Sequence, residues 1–117
     1  MVRKSAEECR RQAEERIKKL RDEIAAMEYL CSGSLVSRTK LCGKPTCRCA
    51  TDPSARHGPY FEWTRLDKGR MVHRVLTREQ AEFIRRAIAN HRTIRRLLRR
   101  WEQETLRAAG VKPTATC

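Results

Sequence analysis

The stretch "LCGKPTCRCATDPSARHGPY", residues 41–60, places Cys42, Cys47 and Cys49 close together and follows them with His57. Gly43, Pro45 and Pro53 favour turns, so side chains separated as C-x4-C-x-C-x7-H can converge on one point. Zinc takes four soft or borderline donors in a tetrahedron, and Cys3His is one of its structural sets. A redox couple favours C-x-x-C at a helix N-terminus, a pattern this loop lacks. Exposed thiols left idle in a mobile loop would invite oxidation. The spacing therefore predicts a Zn2+ site built from Cys42, Cys47, Cys49 and His57. Cys31 is the rival fourth ligand, because it lies near the strand that leads into Cys42; its alternative reading is helix packing. Cys9 reads as helix packing and Cys117 as a tail thiol.

Outward from this loop the pattern is helix, small β-rich centre, helix. Before it, apolar residues at Ala6, Cys9, Ala13, Ile17, Leu20, Ile24, Met27 and Cys31 recur every three or four positions and form one helical stripe. Ser5 and Glu8 fit a capping box at its start. After it, Thr77 and Gln80 open a second helix with a stripe of Ile84, Ala87, Ile88, His91, Ile94, Leu98, Trp101 and Thr105, closed by Gly110 and Pro113. At 1.5 Å per residue the helices are expected to be roughly 38 and 48 Å long. Between them, "SLVSRTKLC" alternates as a strand does, and "YFEWTRL" and "RMVHRVL" flank a turn carrying Asp67 and Gly69.

These elements predict an α+β chain: two long helices, packed antiparallel or across a dimer, flank a three-stranded antiparallel sheet with a zinc loop. The expected segments are an N-terminal helix (1–32), zinc loop and sheet (33–76), a basic helix (77–109) and a flexible tail (110–117), forming one domain. The first thirty residues hold no apolar run suited to a signal peptide, and no stretch approaches a membrane span. The expected compartment is the cytoplasm, where cysteines are poor disulfide formers.

The segment "GSLVSRTKLCGKPTCRC", followed by "HGPYFEW" and a long basic helix, resembles a family of small, largely uncharacterised prokaryotic proteins. That resemblance covers about residues 33–98 and implies that Cys42, Cys47, Cys49 and His57 act as one unit. It also implies a neighbourhood of mobile genetic elements, with no established activity. Separately, the expected cytoplasmic location becomes nucleoid-associated if DNA is bound. The order of three strands and a helix is similar to that of the arm-type DNA-binding domains of tyrosine recombinases.

The 117 residues carry a formal charge of +13 and only 5% aromatic side chains. A polyanion is the natural partner, nucleic acid before membrane and duplex DNA before RNA. Residues 1–30 hold 8 basic and 7 acidic groups, residues 31–76 hold 9 and 3, and residues 77–117 hold 10 and 4. The excess falls on the sheet and the second helix. Arg38, Lys40, Lys44, Arg48, Arg56, Arg65, Lys68, Arg70 and Arg74, set among Tyr60, Phe61 and Trp63, are the expected nucleic-acid contacts, although Phe61 and Trp63 fit a core role better. On the second helix, Arg85, Arg86, Arg92, Arg95, Arg96, Arg99 and Arg100 face a competing use, because the acidic groups of the first helix could pair with them. The alternative function is a helical protein-interaction adaptor with the same structural zinc. No paired carboxylates, Ser-His-Asp set or phosphate-binding glycine loop supports catalysis, so the chain is not expected to be an enzyme.

Overall fold

The computed structural model describes residues 5–112. It contains α1 (Ala6–Ala25), β1 (Ser34–Lys40), β2 (His57–Asp67), β3 (Arg70–Leu76) and α2 (Arg78–Ala108). Two one-turn 3-10 helices, Arg48–Ala50 and Pro53–Ala55, lie in the cysteine loop. The expected α+β class is present, with two helices and a three-stranded antiparallel sheet. The described residues divide into a helical unit, 5–29 with 90–112, and a sheet unit, 30–89. No helix among them is long and apolar enough to cross a membrane.

In the helical unit, Ser5 caps α1 by accepting a hydrogen bond from the Glu8 N–H (3.2 Å). Acidic Glu7 and Glu8 then meet the positive end of the helix dipole. The helix buries Cys9, Ala13 and Leu20 on one face. It runs antiparallel to the second half of α2: Arg16 reaches Glu104 (2.6 Å), and the Tyr29 carbonyl accepts from Asn90 (2.9 Å). The helix ends at Ala25, so Met27 and Cys31, expected on its stripe, lie beyond it. Its last bond tightens to a three-residue step, Met27 N–H to Ile24 O, and the Tyr29 carbonyl turns to Asn90 instead of a helical partner. On α2, the buried positions in this unit are Leu97 and Glu104. Two positions of the predicted stripe are thus corrected by one residue: Leu98 is 50% exposed and Leu97 is buried in its stead, and Thr105 is exposed and Glu104 is buried in its stead. His91, Ile94 and Trp101 are half-buried, as a seam position requires. A Schellman motif closes α2: Gly110 at φ +79 donates to Arg107 O and Val111 to Leu106 O. The residues from Pro113 to the tail thiol Cys117 lie outside the described residues.

In the sheet unit the strands follow as a meander, β1-β2-β3. Asp67 pairs with Arg70 across the two-residue turn Lys68–Gly69. Both turn residues have positive φ (51° and 79°), the backbone a type I′ hairpin needs. Thr77 and Gln80 form the full capping box, each backbone N–H donating to the other's side chain (3.0 and 3.1 Å), and α2 starts directly after β3.

The register sorts the side chains into two faces. Leu35, Phe61, Trp63, Arg65, Val72 and Leu76 lie on one face, and all are half-buried. The Trp63 indole donates to Ser32 O (2.9 Å), which anchors the chain as it enters β1. The other face carries Val36, Arg38, Glu62, Thr64, Leu66, Met71, His73 and Val75. Its Leu66, Met71 and Val75 are 60–65% exposed. The buried apolar residues of the unit are Cys49, Ala81, Ala87 and Ile88. The chain meets α2 where the Cys31 N–H donates to Ala87 O (3.2 Å).

Candidate metal centre and basic surface

The cysteine loop starts at the end of β1 and returns at the start of β2, so the sheet fixes both ends. The β1–β2 pairing shifts between Arg38 and Lys40, and Lys40 lies opposite His57. This brings the imidazole beside the mouth of the loop. Inside it, the Cys47 N–H donates to Lys44 O and the Ala50 N–H to Cys47 O, folding the segment back on itself. Asp52 organises the second half: it caps Pro53–Ala55 by accepting from the Ser54 N–H (3.0 Å) and hydroxyl (2.7 Å), and also receives Arg48. The two Ser54 hydrogen bonds, with Arg48, hold the Asp52 carboxyl below its ordinary range against some loss of solvation.

This folding gathers Cys42, Cys47, Cys49 and His57, with donor atoms all within 4.8 Å of one another. Cys42 Sγ lies 3.5 Å from Cys49 Sγ, and Cys47 Sγ lies 3.4 Å from His57 Nε2. A tetrahedron with metal–sulfur bonds of 2.3 Å has edges of about 3.8 Å. The cluster has that scale, and three thiols with an imidazole form a donor set suited to a metal ion. Hydrogen bonds from the Cys49 backbone, then from the Cys49 and Cys42 thiols, lower the Cys47 pKa. The Cys42 backbone does the same for Cys49, but burial and the adjoining sulfurs outweigh it and push that thiol up. The rival Cys31 is half-buried and outside the cluster.

The nine cations expected at a nucleic-acid surface fall into two groups. Arg38 and Lys40 both meet Glu62 (3.6 and 2.9 Å), Arg48 meets Asp52 (3.2 Å), and Arg65 meets Asp67 (3.8 Å) while stacking over Trp63. The hydrogen bond from Lys40, then its charge and that of Arg38, keep the Glu62 pKa low despite partial burial. Lys44, Arg56, Lys68, Arg70 and Arg74 are exposed or nearly so, and no carboxylate reaches them among the described residues. The nine residues do not share one face: Arg38 is on the open side of the sheet, Arg65, Arg70 and Arg74 are on the other, and Lys68 is at the hairpin tip.

Sequence reading missed two of the three acids that settle this division, Glu62 and Asp52, and took the third, Asp67, as a turn residue. The Asp-Pro-Ser triplet at 52–54 was the available signal for Asp52, since an aspartate before proline readily caps a short helix. Glu62 gave none, because its partners arrive from a neighbouring strand.

The chain belongs to the family described as Domain of unknown function (DUF6788), whose model matches residues 10–86. That match takes in most of α1, the whole sheet, all four candidate ligands and the first turns of α2. No curated protein and no solved structure matches the chain.

Proposed function

We propose that this protein is a zinc-stabilised, basic nucleic-acid-binding protein whose partner is duplex DNA. In this reading, Zn2+ held by Cys42, Cys47, Cys49 and His57 fixes the loop, so that Lys44, Arg48 and Arg56 present a set geometry to phosphates. Lys68, Arg70 and Arg74 extend the footprint along the hairpin. The observation that carries the reading is that Lys44, Arg56, Lys68, Arg70 and Arg74, around the loop and hairpin, are exposed without carboxylate partners among the described residues, while Arg48 keeps an exposed side chain beside Asp52. Keeping such charges together costs self-repulsion, which a polyanion relieves. Four protein ligands would close the coordination sphere, so the metal is read as structural and the protein as no enzyme. An accessory or regulatory role for a mobile element, in the cytoplasm or on the nucleoid, completes the proposal and rests on the family resemblance.

The test is fluorescence anisotropy of a random duplex of about 25 bp, titrated with zinc-loaded protein from 50 to 300 mM salt. Micromolar affinity with a steep salt slope supports the proposal, and a parallel RNA duplex tests the preference for DNA. No binding near 0.15 M salt overturns it. The second reading, an interaction adaptor, is favoured by the exposed apolar sheet face of Val36, Leu66, Met71 and Val75. It would then account for the failed titration.

A further inference from the structure

We propose that the exposed arginine row of α2, Arg92, Arg96 and Arg99 flanked by Arg95 and Arg100, is the principal surface that grips the phosphate backbone of the duplex. This deepens the nucleic-acid reading above and rests on it. The four- and three-residue steps put Arg92, Arg96 and Arg99 in one line along the helix. The opposite side of the same segment carries buried Leu97 and Glu104 with half-buried Ile94 and Trp101, so packing fixes which way the arginines face. All five arginines are exposed.

Their natural competitor for charge was α1. Its acidic groups do not reach them among the described residues: Glu14 meets Arg10 of its own helix. The cross-helix pair that forms has the opposite polarity, with Glu104 of α2 taking Arg16 of α1. Glu104 also binds Arg107 (2.8 Å), so it is fully engaged and neutralises nothing on the outer row. The open sheet face makes a poorer candidate. Its cation Arg38 and the adjacent Lys40 are bound to Glu62, and Val36, Leu66, Met71 and Val75 cover much of the rest. Duplex phosphate is the complementary occupant for the helix, because guanidinium groups engage phosphate oxygens in a bidentate way. The row rises about 10.5 Å from Arg92 to Arg99, the axial rise of about three phosphates on one strand. It lies beyond the family match, which ends at residue 86.

The experiment compares the intact zinc-loaded protein with two triple variants, R92Q/R96Q/R99Q and K68Q/R70Q/R74Q, in the same anisotropy titration against salt. Glutamine keeps helix propensity and removes charge, and matched circular dichroism melts certify that the folds are equal. If three phosphate contacts are lost, the log–log salt slope falls by about 2.7, equivalent at 0.1 M salt to roughly 500-fold weaker binding. The hairpin variant is expected to change both by much less. Wild-type binding with a helix variant of unchanged slope overturns this surface and leaves the nucleic-acid function standing. Absence of wild-type binding overturns the function itself and this surface with it.

Discussion

Replacing Cys49 with serine removes the most buried of the four candidate donors, and its consequence can be sized from the structure. Cys49 is 2% exposed and sits 3.5 Å from Cys42. It is also the one buried side chain that the cysteine loop contributes, because Ala81, Ala87 and Ile88 all belong to α2. The loop's regular structure amounts to two single-turn 3-10 helices, which do not hold by themselves. A bound metal is therefore expected to hold the loop together, and its binding energy becomes folding energy. Free zinc at a thousandfold excess over its dissociation constant contributes about 4 kcal/mol. For a small domain each kcal/mol shifts Tm by about 4–8 °C, so the loss is on the order of 15–30 °C. The assay combines metal content by mass spectrometry, calorimetric melts with and without chelator, and hydrogen exchange across residues 41–57. We expect one zinc per wild-type chain, none in Cys49→Ser, and a chelated wild type that melts with the variant. Cys31→Ser is the control and keeps its metal, since Cys31 lies outside the cluster. A Cys49→Ser protein that retains one equivalent of zinc and the wild-type Tm would refute this reasoning.

Three further perturbations test the packing and the charge pairing. Leu97 is 1% exposed and Leu98 50%, so Leu97→Ala is expected to cost about 2–5 kcal/mol and Leu98→Ala under about 1 kcal/mol in urea melts; equal costs would return the stripe to Leu98. A Cβ on Gly33, at φ +103, would lie 2.3 Å from the Thr64 carbonyl oxygen, so Gly33→Ala should destabilise by at least about 2 kcal/mol, and a neutral melt would contradict that contact. Glu104→Gln should cost roughly 2 kcal/mol at pH 7 by weakening the bonds from Arg16 and Arg107. Burial alone would raise the Glu104 pKa, but these two arginines outweigh it and hold it below the ordinary 4.5. The pair's contribution is thus full above pH 4.5 and disappears as pH falls through the lowered folded value, where wild type and variant should converge; a gap that persists in strong acid would rule out this origin.

The helix starts were legible because capping is local: Ser5 with Glu8, and Thr77 with Gln80, lie within one turn of each other. The hairpin was equally readable, since Gly69 favours positive φ and the flanking residues alternate. The end of α1 was not. Beyond Ala25 the chain leaves the helical ladder and the Tyr29 carbonyl bonds Asn90, about sixty residues away, a partner that no local pattern announces. On α2 the stripe was legible except at two positions, which moved by one residue for a related reason. Leu97 and Leu98 are adjacent and chemically equal, and a buried glutamate at 104 reads as surface until Arg16 arrives from another helix.

The metal donors stood out because four chemically distinctive residues lie within sixteen positions, and short loops leave them few ways to part. The basic surface was less legible because Coulomb pairing depends on geometry rather than count. Glu62 binds two cations across the β1–β2 ladder, whereas among the described residues no acid of α1 pairs with an arginine of α2. A helix of mixed charge beside a basic helix gives neutralisation only if the acids of one meet the cations of the other. Here α1 buries Cys9, Ala13 and Leu20, α2 buries Leu97 and Glu104, and Arg16–Glu104 is the cross-helix ion pair among the described residues. The ion pairs of the fold therefore take up only part of the positive charge, and the exposed arginines of α2 stay outside them among the described residues; on the proposed reading, this remainder is what a polyanion would neutralise.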